Sequence, residues 1–216
     1  MPEQEFLLIR HGQSTANASG VWQGQMEFPL SEEGRRQALL AGKALAGERL
    51  DAIYSSPLGR AFETAEIIAR EARFRGAIVP LAGLMERRGG SLEGTTHAER
   101  EARDPGFTKN LLSLPEEDRW TLVGAETDEE VLARFESVIS DLRARHPPGA
   151  HLAVVSHGGV MRAFLRDRFG PGVLPGTERA ANASITRIAW GDEEPQLLEV
   201  ASTRHLYPDP RVYTTE

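Results

Sequence analysis

The sequence predicts an α/β fold built on parallel strands, and three observations carry that prediction. Phe6-Leu7-Leu8-Ile9 is a short apolar run closed by Arg10-His11-Gly12. That is the pattern of a strand buried on both faces, although periodicity by itself also fits a buried helical segment. His151-Leu152-Ala153-Val154-Val155-Ser156-His157-Gly158-Gly159 repeats the arrangement and leads into the helical pattern Val160-Met161-Arg162-Ala163-Phe164-Leu165. Between these runs helical and strand patterns alternate, the rhythm of βαβ units. Ligands of open α/β sheets bind beyond the carboxyl ends of the strands, where Arg10, His11 and His157 would stand. One such pair could be no more than a polar strand end, but two strand-terminal histidines in one domain are hard to assign to chance.

The remaining elements follow in order. Ser14-Thr15-Ala16-Asn17 is short and polar, and Trp22 to Leu30 reads as a loop because Gly24 and Pro29 interrupt it. Ser31 fits the N-cap of a helix with Glu32 and Glu33 in its first turn, where the helix dipole favours negative charge. Ala38, Leu39, Gly42, Ala44 and Leu45 give this helix a small-residue apolar face. Leu50 to Ser55 alternates like a strand. Pro57 fits the first position of the next helix, capped by Ser55 or Ser56, with Arg60 projecting from the first turn. Free backbone N–H groups and a guanidinium there make an anion site, whereas a lone arginine on a helix is usually solvated. Ala77 to Leu81 is a third short strand, closed by proline.

Residues 84–126 are the least regular stretch, with three glycines between Gly89 and Gly94, and so long a connection is expected to be a functional lid. Thr127-Asp128-Glu129-Glu130 is a capping box. It opens a helix with Val131, Leu132, Phe135, Val138, Ile139 and Leu142 on one stripe and Pro147-Pro148-Gly149 as its stop. Ala183 to Trp190 and Gln196 to Ala201, joined by a turn from Gly191 to Pro195, read as a hairpin at a sheet edge. The tail from Ser202, with Pro208 and Pro210, reads as irregular.

Composition narrows the chemistry. The 216 residues, 40% of them apolar, suit a single domain over 1–216 with a lid-like insertion around 84–126. There are no cysteines, which removes a disulfide framework, a thiolate nucleophile and every Cys-based metal site. A net charge of −7 argues against nucleic-acid or anionic-membrane partners, so any anion site must be a local pocket. No run approaches the length of a membrane span, and the chain enters its first strand without a signal-like segment. A cytoplasmic protein is the expectation. Two histidines and two arginines at strand ends and a helix start suit a compact dianion, and phosphate is the natural guest. Backbone amides at Gly12 or Gly158 are further candidate donors. No Walker loop, no Gly-x-Gly-x-x-Gly after a strand and no His-Glu-x-x-His occurs. A neutral imidazole beside arginines can attack phosphorus without a metal, and His11 is the candidate.

At this point the chain resembles the histidine phosphatase superfamily, which includes the cofactor-dependent phosphoglycerate mutases. The resemblance runs through Leu8-Ile9-Arg10-His11-Gly12-Gln13-Ser14, then Tyr54-Ser55-Ser56-Pro57-Leu58-Gly59-Arg60-Ala61-Phe62-Glu63-Thr64-Ala65. It continues in Val155-Ser156-His157-Gly158-Gly159-Val160-Met161-Arg162 and Asn182-Ala183-Ser184-Ile185. It implies a three-layer α/β/α sandwich with a mostly parallel central sheet. It also implies that His11 is phosphorylated, that Arg10, Arg60 and His157 hold the phosphoryl oxygens with Asn17 as an extra contact, and that Glu86 is the general acid. Taken alone, Glu86 in Met85-Glu86-Arg87-Arg88 would read as a surface carboxylate.

Glu93-Gly94 and Thr96-His97 resemble the phosphatase branch, whereas mutases usually carry Arg-His-Tyr after the acid and a longer lid. Arg87 agrees with the mutases; Arg88 and Gly89 do not. The expectation is therefore a phosphomonoester hydrolase acting on small phosphorylated metabolites through a phosphohistidine, with no metal and no cofactor. A cofactor-dependent phosphoglycerate mutase is the alternative, and a binding or regulatory protein that kept the fold but lost the chemistry is a third reading. Trp22, Phe28, Arg87, Arg88, Phe107 and Trp120 lie in segments that could line the entrance, and each could equally pack the lid or be solvated. A homodimer is compatible with the resemblance and has no signature in the sequence.

Overall fold

The computed structural model describes residues 3–174, 180–191 and 194–207. Six strands form one sheet: β1 (Gln4–Arg10), β2 (Ala52–Ser55), β3 (Ile78–Pro80), β4 (His151–Ser156), β5 (Ile185–Trp190) and β6 (Gln196–Ser202), in the order β3-β2-β4-β1-β5-β6. The ladders β3–β2, β2–β4 and β4–β1 are parallel, and β1–β5 and β5–β6 are antiparallel. The sheet is therefore mixed and mostly parallel, with the hairpin at one edge as its two alternating runs predict. Part of the turn between those runs, at 192 and 193, lies outside the described residues, as does the tail beyond Tyr207.

Strand parity sorts the core into two layers. Phe6, Leu8, Leu152, Val154 and Ile188 face one side. There they pack against Val131, Phe135, Ile139 and Leu142 of α7 (Asp128–Arg145) and against Val160, Met161, Phe164 and Leu165 of α8 (Gly158–Phe169). Leu7, Ile9, Ile53, Ala153 and Val155 face the other side. They meet Ala41 of α2 (Glu32–Ala44), Leu45 just beyond it, and Ala61, Ala65 and Ile68 of α3 (Gly59–Glu71). The apolar residues of β1 and β4 are thus covered on both faces, which is why these strands read as unbroken apolar runs. The result is a three-layer α/β/α sandwich.

Several local expectations are corrected. The polar stretch after β1 is a short helix, α1 (Thr15–Ser19), closed by a capping box between Ser14 and Asn17. On α2, Ala44 is exposed and Ala41 takes the buried position beside Ala38. The helix expected to begin at Pro57 begins instead at Gly59, with Leu58 at its N-cap and no cap from its own serines. The irregular stretch contains α4 (His97–Arg103), α5 (Phe107–Ser113) and α6 (Glu116–Leu122). These hold a small apolar cluster of their own, with Leu92, Val123 and Ala125 buried and Trp22, Phe107, Leu111 and Trp120 packed against them.

Candidate active site

Register brings the reactive residues together. Arg10 pairs with Ser156 across β1–β4 and Ser55 with Val155 across β2–β4, so three strands end side by side. His11 and His157 each follow a strand directly and meet with ring centroids 5.0 Å apart. His11 is 2% exposed, and its Nδ1 lies 2.6 Å from the carbonyl oxygen of Gly12. A carbonyl can only accept, so Nδ1 carries the proton and Nε2 the lone pair. Burial, then the charges of Arg10 and Arg60, hold the His11 pKa well below the ordinary histidine value, against an upward pull from the Gly12 carbonyl. Burial does the same to His157, with His11, Arg60, Arg10 and Arg134 adding to it.

His157 is oriented by Ser56, whose Oγ lies 2.7 Å from Nε2. Ser56 Oγ also accepts the Leu58 N–H at 3.3 Å, which fixes the hydroxyl against the imidazole. Nδ1 is buried and has no partner among the described residues. Arg60, in the first turn of α3, is fully buried; it donates from Nη2 to Gly24 O at 2.7 Å and from Nη1 to Met26 O at 2.8 Å. Its Nε has no partner among the described residues. Burial depresses its pKa, opposed by Glu86, Glu27 and Glu93. Arg10 is tied to the carbonyl of Ala180. The Oδ1 of Asn17 accepts from Ser14 N and Asn182 Nδ2, which leaves its own amide N–H groups as donors.

Glu86 lies against the start of α8. Its carboxylate accepts the N–H groups of Gly159 and Val160 at 3.0 Å and of Arg87 at 2.8 Å. A Cβ on Gly159 would stand 2.5 Å from Glu86 Oε1, and one on Gly158 would stand 3.1 Å from Arg10 Nε. The Gly158-Gly159 pair therefore lets a carboxylate and a guanidinium approach the helix start closely. The main chain of this segment is gripped from α7 and β4: Arg134 donates to the carbonyls of Gly83, Met85 and Glu86, and Ser156 to that of Leu84.

All of Arg10, His11, Asn17, Arg60, Glu86 and Gly158 line one cavity of about 830 Å³, whereas His157, packed against the His11 ring, is not among its lining residues. The expected anion donor at Gly12 is otherwise engaged, since its N–H goes to Thr64 Oγ1 at 3.1 Å. Trp22, Arg87, Phe107 and Trp120 line the same cavity; Phe28 and the exposed Arg88 are not among its lining residues. Arg87 is buried, stacked 4.3 Å from the Trp120 ring centre and bonded to Asp128 and the Glu126 carbonyl, so it braces α6 against the start of α7. Sequence reasoning missed Ser56 as the partner of His157, Asn182 as the donor to both His11 O and Asn17, and the carbonyls that aim Arg60. Asn182 fell inside a quoted motif but had no stated role, and Ser56 read only as a helix cap. Among the described residues no three His, Asp or Glu side chains gather as a metal site.

Such a site can hold a tetrahedral dianion among guanidinium and imidazole donors, present a neutral imidazole nitrogen to its centre, and keep a carboxylate at hand for proton transfer. A family model described as "Histidine phosphatase superfamily (branch 1)" matches residues 6–203. A metal-independent phosphoserine phosphatase of Arabidopsis thaliana is 36% identical over 164 residues, 75% of this chain and 68% of the relative. A glucosyl-3-phosphoglycerate phosphatase of Mycobacterium tuberculosis is 32% identical over 172 residues, 76% of this chain and 74% of the relative. The solved structure of a mycobacterial glucosyl-3-phosphoglycerate phosphatase with VO3 superposes with a TM-score of 0.78 at 28% identity, covering 90% of this chain and 97% of that one.

Proposed function

The chain belongs to the histidine phosphatase superfamily, and from that premise we propose that it hydrolyses small phosphomonoesters through a phosphohistidine formed on His11. The observation that carries the reading is the locked His11 ring: Nδ1 is held by the Gly12 carbonyl, the ring is kept neutral, and Arg10 and Arg60 stand beside it. In the first step Nε2 attacks phosphorus, the P–O bond to the alcohol breaks, and Glu86 hands a proton to the departing oxygen. In the second, Glu86 takes a proton from water, the water oxygen attacks phosphorus, the P–N bond breaks, and phosphate leaves. Arg10, Arg60, Asn17, His157 and the N–H of Gly158 are the groups assigned to the phosphoryl oxygens, whose charge grows in the transition state. In this scheme arginines supply the positive charge that a metal supplies elsewhere.

The relatives' names, phosphatases of phosphoserine and of glucosyl-3-phosphoglycerate, support the hydrolase over the mutase. A cytoplasmic setting remains part of this proposal; among the described residues no helix is long and apolar enough to cross a membrane. The test is His11→Ala. It should lower hydrolysis of an aryl phosphate by several powers of ten and remove an acid-labile phosphoenzyme, while the wild type keeps its activity in excess chelator. A variant retaining more than about a hundredth of the rate would sink the assignment.

A further inference from the structure

The phosphoryl group accounts for one end of the cavity only. Arg10, His11, Arg60 and Glu86 meet there, while the remainder of the roughly 830 Å³ extends along α5 and α6. A volume of that size suits a ligand far larger than phosphate on a short alcohol. The far wall carries the apolar side chains of Trp22, Phe107, Leu111, Leu112 and Trp120, beside His97, Arg100, Thr108 and Arg119. Phe107, Leu111 and Trp120 are only half-buried, and Leu112 is 59% exposed. The aromatic part of this wall is braced, since Trp22 and Trp120 pack with ring centres 6.3 Å apart and Arg87 stacks on the second. The arginines on the lid side are already engaged with protein acceptors: Arg87 with Glu126 and Asp128, Arg100 with Thr95, and Arg119 with the carbonyls of Leu112 and Leu114. What this wall offers a ligand is therefore a broad apolar patch whose neighbouring arginines are already engaged, continuous with the site assigned to phosphate.

We propose that this wall is the subsite for the leaving group, and that the protein takes phosphomonoesters whose alcohol carries an aromatic or similarly broad apolar ring. The inference rests on the monoester-hydrolase reading and adds the class of alcohol to it. A short polyol or hydroxy acid reaches little of the wall, whereas a ring system covers it and removes its apolar area from water.

The test compares kcat/KM for naphthylethyl phosphate, ethyl phosphate and carboxyethyl phosphate. All three are esters of primary alcohols, so leaving-group reactivity is closely matched. Naphthylethyl phosphate should exceed the other two about tenfold or more, the discrimination that an apolar pocket provides. Leu112→Ser, an exposed position whose change spares the fold, should reduce that ratio about threefold or more, and Phe107→Ala should reduce it further. Equal values for the naphthylethyl and ethyl esters within about threefold would overturn the proposal. So would a preference for the carboxyethyl ester, which would place a second anion opposite Arg162 and Arg166 on α8. A binding arm separates this result from the chemistry: calorimetry of the same esters on His11→Ala should show the same order. If the wild type fails to turn over any ester while that order holds, the hydrolase reading falls and the subsite stands; if the order is absent there, the subsite falls.

Discussion

His11 and His157 stay neutral inside the fold because burial and neighbouring guanidinium groups disfavour their charged forms. In the unfolded chain the same histidines take up protons near pH 6.5. Below that value the unfolded state binds more protons than the folded one, so stability is full above about pH 6.5 and falls as pH drops through it, by up to about 1.4 kcal/mol per pH unit for each proton. Urea unfolding at pH 7.5, 6.5 and 5.5 should show this loss, and His157→Asn should make the decline shallower; an unchanged slope in that variant would contradict the buried neutral assignment. At this scale the sequence was partly legible. Arg10, His11 and His157 could be placed because each follows an apolar run directly. Ser56 could not be paired with His157, since the two are 101 positions apart and a single bond between side chains leaves no periodic trace.

Helix starts do much of the work at the next scale. The beginning of α8 receives Glu86 on two of its backbone N–H groups, and this needs glycine at 159, where a Cβ would stand 2.5 Å from the carboxylate. Gly159→Ala should therefore displace Glu86 and lower kcat about tenfold to a hundredfold, as misplacement of a catalytic group by about 1 Å does, with a much smaller change in inhibition by vanadate. Steady-state kinetics on the purified variant would read both values, and a kcat within twofold of wild type would count against the placement of Glu86. The start of α3 shows why local rules went astray. Its expected serine cap is absent because the Ser56 hydroxyl faces His157, and the N–H of Gly59 is taken instead by Glu27 at 3.0 Å, a residue from another loop. Long-range partners of that kind override local capping preferences. By contrast Ser31 and Thr127 cap as expected, since their partners lie within the same turn. The Thr96–Glu99 capping box within the lid has the same local form and was passed over amid the glycines of residues 84–126.

For the whole molecule, strand order was not legible in the sequence, although the α/β class and the edge hairpin were. The runs carry no register, and only the ladders show that β1 and β4 are neighbours and that β2 joins them on the far side of β4. That order gathers three strand ends into one pocket, which residues of α4, α5 and α6 also line. Since Arg87 is already engaged by Asp128 and the Glu126 carbonyl, we expect phosphate release to outpace primer-dependent isomerisation of phosphoglycerate when both are measured on one preparation; the reverse order would favour the mutase. The clustering of charge has a thermodynamic consequence as well. Arg10 and the fully buried Arg60 stand beside His11, and their charges help keep its imidazole neutral. An anion seated among them pairs with the two guanidinium charges, and the unfolded chain has no such gathering to offer it. Inorganic phosphate should then act as a folding partner, raising the melting temperature as its concentration climbs and adding about 2.7 kcal/mol at a hundred times its dissociation constant. By this linkage the reaction's own product would guard the enzyme against heat even as it competes for the site, so that thermal endurance and turnover pull in opposite directions as phosphate accumulates.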